Sequence, residues 1–108
     1  MALPQLTPLG LGTAPLGGLY SPVSDDDAMC VVDAAWNHGL RFFDTAPMYG
    51  NGSAERRLGT VLAGRPRDSF VVATKVGRLL RLPGTPQGED AYYKGTPPER
   101  PVFDFSHD

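Results

Sequence analysis

The sequence has little cysteine, no long apolar run and no cluster of basic residues, and each shortage excludes a class of protein. Cys30 is the single cysteine among 108 residues, so neither an intrachain disulfide nor a cysteine-based metal cluster can form, which is typical of a reducing compartment. No segment approaches the roughly 18 apolar residues of a membrane span. The N-terminal stretch MALPQLTPLGLG lacks the basic region and apolar core of a secretory signal. Together these features predict a soluble, cytoplasmic protein without a membrane partner.

Positive and negative charges are nearly balanced, with a formal net charge of -2. Ten Lys and Arg residues stand against twelve Asp and Glu residues, and they are spread along the chain. A nucleic-acid-binding surface requires a basic patch, so we predict no nucleic-acid partner. The 41% hydrophobic content is ordinary for a globular protein, and the length corresponds to one small domain.

Apolar residues follow two different patterns, which separate predicted helices from predicted strands. Ser24 can cap a helix with an acidic first turn and one apolar face, and Gly39 can end that helix in the left-handed conformation. Ser53 is a second candidate cap. The segment SFVVATK has no polar alternation, so we expect a strand buried on both faces of a parallel sheet. The predicted elements are strand 1 at 8–14, a helix at 24–38, strand 2 at 40–45, a helix at 53–63 and strand 3 at 69–75.

Residues 76–105 are rich in glycine and proline and show no periodicity. A structureless loop of this length is more often a lid or binding loop than a connector, so we predict a functional loop. Tyr92, Tyr93 and Lys94 in this loop are candidates for substrate contact or for anchoring the loop, and the sequence does not decide between them. Ser106 resembles the start of a third helix.

Several residues that invite a functional interpretation have better structural ones. Gly10 and Gly12 open a G-x-G pattern, but Pro15 stands where a dinucleotide fingerprint needs its third glycine. His38 falls in the last turn of the first helix, where an imidazole often binds helix-end carbonyls. Cys30 lies within the apolar pattern of that helix, and His107 lies near the predicted third helix. We therefore assign no catalytic role to these residues.

The architecture couples two charged residues at the ends of neighbouring strands. Asp44 and Lys75 end strands 2 and 3, and parallel neighbours present their carboxyl ends at the same edge, where sites in this class of fold lie. We expect them to form a buried ion pair, with the hydroxyl of Tyr49 turned toward the ammonium. A tyrosine donates a proton near neutral pH only when a nearby cation stabilises its phenolate. The geometry is equally compatible with a catalytic group and with a structural ion pair.

The same residues resemble the signature of the aldo-keto reductases. The segment GLRFFDTAPMYGNGSAERRLG, residues 39–59, is similar to the family pattern D-T-A-x-x-Y-G, which is followed by a glutamate and a glycine in the next helix. VVATKVG resembles the strand that carries the family's lysine. The opening LGLGTAPLGGLY and the closing VFDFSHD are most similar to the bacterial branch with fucose, threo-aldose and pyridoxal reductase-like enzymes.

This resemblance implies an NAD(P)-dependent oxidoreductase that transfers hydride between nicotinamide and an aldose sugar or another aldehyde or ketone. By position, Tyr49 is the general acid in reduction and the base in oxidation, Lys75 stabilises its phenolate, and Asp44 pairs with Lys75. Thr13, Ala14 and Asp44 are the implied cofactor contacts, with NADP or NAD as cofactor, and no metal is implied. The family's catalytic histidine on the fourth strand has no counterpart in these residues.

The implied fold is of the α/β class, as the N-terminal portion of a TIM-type (β/α)8 barrel. Such a barrel needs about 250 residues, and 108 residues accommodate about three βα units, the third incomplete. We expect residues 1–108 to be a partial barrel domain, inactive alone. The alternative is a non-catalytic remnant or interaction module of aldo-keto reductase descent.

Overall fold

A three-stranded parallel sheet with two helices forms the centre of the protein. The computed structural model describes residues 5–82 and 92–106. The strands β1 (Leu11–Gly12), β2 (Phe42–Asp44) and β3 (Val71–Ala73) lie side by side in chain order. Helix α1 (Asp25–Asn37) connects β1 to β2, and helix α2 (Ser53–Leu62) connects β2 to β3. Short 3-10 helices cover Ala14–Gly17 and Arg67–Ser69. The alternation of parallel strands and helices confirms the predicted α/β class.

Helix α1 begins and ends at the signals present in its sequence. The Ser24 hydroxyl accepts a hydrogen bond from the Asp27 amide at 3.1 Å, and Gly39 adopts a φ of +89° just after the helix. His38 Nδ1 lies 2.8 Å from the Ala34 carbonyl oxygen, which gives this imidazole the expected structural contact. The buried stripe is narrower than the apolar pattern predicted, because Val31 is 43% exposed. Cys30, expected within that pattern, is exposed.

Helix α2 has a different N-terminus from the one predicted. Gly52, with a φ of +93°, is the N-cap residue, and no side chain caps the helix. Ser53 lies inside the first turn and is only 1% exposed. The prediction of Ser53 as the cap was wrong because the preceding turns, in which the Ser53 amide donates to the Gly50 carbonyl, carry the chain into the helix one residue earlier.

The core lies between the sheet and the two helices. Phe43 of β2 is fully buried at its centre, and its ring meets Phe70 edge to face with 6.5 Å between centroids. The other buried members of this core are Leu16, Ala28, Val32, Leu58 and Leu62. Because successive side chains of a strand point to opposite faces, Phe43 in the helix layer places Asp44 on the other face of the sheet.

Strand β3 is less buried than its apolar sequence predicted. Val71, Val72 and Ala73 are each half-buried, not buried on both faces. Within the described ranges, β3 is an outer strand of the sheet, with β2 on one side only. A continuous apolar run indicates a strand whose two faces can both be buried. Whether they are buried depends on which strands and helices pack against it.

The segment 76–105 is not the structureless loop that the sequence predicted. Strands β4 (Arg78–Arg81) and β5 (Arg100–Phe103) form an antiparallel pair in which Arg78 lies opposite Phe103. Sequence signals for hairpins depend on turns of two to five residues, and the connection between these strands is much longer. Ser106 lies in irregular structure, where its amide and hydroxyl donate to the Asp104 carboxylate. His107 lies outside the described residues.

Candidate active site

Asp44 and Lys75 lie together at the carboxyl ends of β2 and β3. The Lys75 ammonium is 3.4 and 3.5 Å from the two Asp44 carboxylate oxygens, and it donates a 2.9 Å hydrogen bond to the Thr45 carbonyl. The parallel pairing of the strands brings the two ends to one edge, because Asp44 lies opposite Ala73 in the register. The ammonium is therefore held by a carboxylate and a backbone carbonyl of the same strand end.

The Asp44–Lys75 pair is not buried, contrary to the expectation from the sequence. The Lys75 side chain is 51% exposed and the Asp44 side chain 43% exposed. A half-exposed ion pair is screened by water, so it contributes less to stability than a buried one while leaving both groups accessible to a ligand. The expectation of burial was wrong because β3 is an outer strand here and leaves this end of the sheet open.

Tyr49 adjoins this pair, with its ring facing the ammonium. Lys75 Nζ lies 5.0 Å from the centroid of the Tyr49 ring, within the range of a cation–π contact. Across the described part of the chain, no hydrogen bond joins this ammonium to the Tyr49 hydroxyl, contrary to our expectation. The structure therefore brings the three predicted residues together, with the lysine over the ring face of the tyrosine.

The backbone around Tyr49 is held by a close crossing of two loops. Gly17, at the end of the first 3-10 helix, packs so tightly that a Cβ atom there would lie 2.6 Å from both the Tyr49 carbonyl carbon and the Gly50 amide nitrogen. Gly50 has a φ of +65°, a conformation that side chains other than glycine rarely adopt. The loop after β1 thus braces the loop that carries Tyr49.

Tyr93 lies in this site, a position that could not be inferred from the sequence. Its ring stacks on Tyr49 with 6.1 Å between centroids and 26° between planes, and it is only 8% exposed. Tyr93 forms a bridge with Leu19, and the Lys94 amide donates to the Gly18 carbonyl at 2.8 Å. Tyr92 is 54% exposed and contacts the edge of Tyr20 instead. The segment after β4 therefore covers Tyr49 through one aromatic ring.

The candidate cofactor contacts divide into accessible and buried groups. Thr13 is fully buried, and both its amide and its hydroxyl donate to the Asp44 carbonyl at 3.0 Å. Its hydroxyl is thus committed to β2 and fits a role in positioning Asp44 better than a direct contact with a ligand. Ala14 is half-buried at the start of the 3-10 helix, and the Asp44 carboxylate is open to solvent on one side.

Tyr49 and Lys75 line a cavity of about 310 Å³. Met48, Val76, Arg78 and Phe103 form much of the remaining wall, so strands β4 and β5 contribute to it. Two larger clefts, of about 380 and 440 Å³, contain none of Asp44, Tyr49 and Lys75. The smaller cavity is therefore the candidate site on chemical grounds, since the tyrosine and the lysine both line it.

Arg57 is a structural support of the site that sequence reasoning missed. Its side chain is 9% exposed, and its guanidinium donates to the Leu16 and Val23 carbonyls and to the Asp25 carboxylate at 2.6 to 2.8 Å. It therefore ties α2 to the loop after β1, which in turn braces Tyr49. Helical spacing offered a signal, because Arg57 falls three residues after Ala54 and four after Ser53, both on the buried face of α2.

The same contact changes the ionisation of Asp25. The hydrogen bond and the positive charge of Arg57 hold the pKa of the Asp25 carboxyl below its ordinary value of 3.8. At the other end of the described chain, hydrogen bonds from Ser106 and Arg81 lower the pKa of Asp104 in the same way.

The described residues contain neither a metal-ligand cluster nor a membrane-spanning helix. Residues 5–82 and 92–106 contain no group of three His, Cys, Asp or Glu side chains placed to hold a metal ion. None of the helices in these ranges has the length and apolar content needed to cross a membrane.

Most of the chain aligns with proteins of known function. A sequence model of the Aldo/keto reductase family matches residues 8–98. The chain is 46% identical to pyridoxal 4-dehydrogenase of Microbacterium luteolum over 112 aligned positions, which cover 95% of this chain. It is 53% identical to D-threo-aldose 1-dehydrogenase of a Pseudomonas species over 81 positions, or 75% of the chain. These alignments cover only 32% and 24% of the two relatives' own lengths.

Comparison with solved structures leads to the same family. A glycerol dehydrogenase from Gluconobacter oxydans superposes with a TM-score of 0.57 and 34% identity, covering 88% of this chain and 26% of that one. An aldo-keto reductase from Bacillus halodurans, in its holo form, gives a TM-score of 0.55 and 33% identity over 65% of this chain and 22% of that one. The chain belongs to the aldo/keto reductase family and folds as a portion of the family's (β/α)8 barrel.

Proposed function

We propose that this chain provides part of the active site of an NAD(P)-dependent oxidoreductase that transfers hydride between nicotinamide and the carbonyl of an aldose sugar or another aldehyde or ketone. The observation that supports this most directly is the contact of Lys75 with both Asp44 and Tyr49 at the carboxyl edge of the sheet. The dehydrogenases among the relatives support the reaction class. Because the chain spans a third or less of these relatives, we propose that the 108 residues alone are inactive.

In this proposal Tyr49 moves the proton. Its hydroxyl donates to the substrate oxygen during reduction and removes the hydroxyl proton during oxidation. Lys75 stabilises the negative charge that the phenolate acquires, and Asp44 holds the ammonium in place. A small rotation of the tyrosine or the lysine is required, since the ammonium now faces the ring. General acid–base catalysis of this kind typically contributes about 10²–10⁴-fold to the rate.

The nicotinamide supplies or accepts the hydride when it is bound. Asp44 and Ala14 are accessible enough to contact it, while buried Thr13 acts through its two hydrogen bonds to the Asp44 carbonyl. NAD or NADP is the proposed cofactor, and the cytoplasmic location remains a prediction.

The test begins with the coding sequence, which is read past the codon for Asp108 so that the complete product can be assayed with aldoses and NAD(P). We expect Tyr49→Phe to lower kcat by about 10²–10⁴-fold, because the ring remains while the proton-carrying hydroxyl is lost. Tyr92→Phe is the matched control, since Tyr92 is exposed and makes an edge-on ring contact with Tyr20. Wild-type kcat in the Tyr49→Phe variant would reject the role of Tyr49.

The second candidate is a non-catalytic chain of aldo-keto reductase descent. The open side of β3 and the apolar cleft between α2 and β3 are the features that favour a partner there. A stop codon directly after Asp108, together with a cooperative melt of a monomeric product, would favour this alternative over catalysis.

A further inference from the structure

We propose that Arg78 binds an anionic group of the ligand in the cavity beside Tyr49, so that the site takes organic anions with a flat apolar body. If the ligand is the substrate, it is a carbonyl compound that also carries a carboxylate or phosphate group, and this part of the inference rests on the proposed function. Binding of the anion itself requires no catalysis and can be measured separately.

The position of Arg78 is set by strand pairing. Arg78 of β4 lies opposite Phe103 of β5 in the antiparallel register, so the two side chains share one face of the pair. The guanidinium carbon lies 4.6 Å from the centroid of the Phe103 ring, and Nη1 contacts the sulfur of Met48. The cation is therefore held between the hairpin and the loop that carries Tyr49.

The start of the hairpin is also constrained. Gly77, with a φ of +97°, lies between Val76 and Arg78, and its carbonyl accepts a 2.9 Å hydrogen bond from the Asp104 amide. Arg78 thus follows Lys75 after a short bend, which this hydrogen bond ties to the residue after β5. A cation held this way loses little conformational freedom when it binds a ligand.

The described lining of the cavity has two cations, Lys75 and Arg78, and no acidic residue. Lys75 is paired with Asp44, but among the described residues Arg78 has no carboxylate within ion-pair distance. A guanidinium has five N–H donors, and a thioether sulfur is only a weak acceptor. Arg81, on the same strand, provides the contrast, because its guanidinium lies 3.2 Å from the Asp104 carboxylate. Within residues 5–82 and 92–106, the cavity therefore retains a positive charge without a carboxylate partner and with unused donors.

The rest of the wall is apolar. Phe103 is 66% exposed and Val76 95% exposed, and Met48 lies beside them. A guanidinium binds a carboxylate or phosphate through parallel hydrogen bonds, while an aromatic ring and a thioether accept a flat apolar group. The Phe103 ring also stacks on Phe105, with 5.9 Å between centroids. The combination fits an aromatic or similarly flat anion, with its charged end on Arg78 and its body against Met48, Val76 and the exposed part of Phe103.

Benzoate is the probe, and benzamide, of the same shape without the charge, is its control. The experiment titrates each into the chain with isotope-labelled methionine methyl groups and follows the Met48 signal by NMR, with Met29 of α1 as the internal reference. We expect benzoate to shift Met48 saturably at millimolar concentrations, benzamide to have little effect, and added salt to weaken the response.

Arg78→Gln should weaken benzoate binding by about tenfold or more, which is the range of a charge-assisted hydrogen bond. Arg78→Lys keeps the charge and should retain part of the affinity, which also controls for a folding defect. Arg81→Gln should bind as the wild type does. Equal affinity for benzoate and benzamide, unchanged benzoate binding in Arg78→Gln, or equal losses in Arg78→Gln and Arg81→Gln would each overturn the proposal. None of these readouts depends on hydride transfer.

Discussion

At the scale of single residues, the ion pairs of this chain differ by their surroundings more than by their chemistry. Arg57 is nearly buried and also binds two carbonyls, whereas Lys75 and its partner Asp44 are half-exposed. The first pair stabilises the contact between α2 and the loop after β1. The second leaves charge accessible at the candidate site, which suits a role in binding or proton transfer.

The lowered pKa of Asp25 predicts an acid-dependent loss of stability. A carboxyl whose pKa is lower in the folded state stabilises the fold at pH values above its ordinary pKa of 3.8, and that contribution disappears as the pH falls through the folded pKa. We therefore expect Asp25→Asn to lower Tm at pH 7, with a difference from wild type that shrinks below about pH 4. Thermal melts of both proteins between pH 7 and about pH 2.5 measure this difference in Tm.

Asp26→Asn is the matched control, because Asp26 lies in the same first turn of α1 and experiences the same helix dipole. A Tm difference for Asp25→Asn that stays constant over the whole pH range would show that Arg57 does not control this carboxyl.

At the scale of secondary-structure elements, the site depends on loops that touch each other. The loop after β1 contacts the Tyr49 loop through Gly17 and contacts the segment around Tyr93 through Gly18. The strands supply the edge on which Asp44 and Lys75 lie. The position of Tyr49 is therefore a property of three connections that are distant in sequence.

We expect Gly17→Ala to disturb this crossing. The added methyl would meet backbone atoms of Tyr49 and Gly50 at 2.6 Å, and backbone cannot move aside as a flexible side chain can. Overpacking of this kind lowers the free energy of unfolding by about 1–3 kcal/mol. Chemical denaturation measures the loss, and near-UV circular dichroism should show a changed tyrosine signal.

Gly12→Ala is the control for this prediction, since no atom lies within 4 Å of its added Cβ. Its stability should change by less than about 0.5 kcal/mol. If both variants were equally stable, the close approach of Gly17 to Tyr49 would not be a constraint on the fold.

At the scale of the whole molecule, β3 is an outer strand of the sheet within the described part of the chain. Val71 donates to the Arg41 carbonyl at 2.8 Å, and the Thr45 amide donates to the Ala73 carbonyl at 2.9 Å, so these two residues of β3 bond to β2. Backbone groups of alternate residues in a strand point to opposite sides, so the Val72 amide faces away from β2. Unpaired strand edges of this kind promote association between chains.

We predict that the polypeptide of these 108 residues alone self-associates with increasing concentration through β3. Val72→Pro removes the outward N–H and should reduce association, since proline is tolerated at a strand edge facing away from its partner. Val71→Pro, the matched control, removes the bond to Arg41 and should destabilise the fold instead. Sedimentation velocity over a concentration series measures both; equal association of wild type and Val72→Pro would exclude this edge.

Much of the framework could be predicted because it depends on short-range patterns. The cap at Ser24, the left-handed Gly39 and the apolar runs around Phe43 and Val72 are local signals, and they led to the correct order of strands and helices. Ser53 as a cap and residues 76–105 as a loop were wrong, because a turn conformation and a pairing between distant strands decide those features.

Three features follow from the amino-acid sequence: the α/β class, the family, and the placement of Asp44 and Lys75 at one edge, since parallel strands bring their carboxyl ends together. Tertiary packing is the reason that this pair is half-exposed, that Tyr93 covers Tyr49, and that Arg57 braces the loop after β1. Those features depend on contacts between residues more than thirty positions apart, and hydrophobic periodicity carries no information about which distant segments meet.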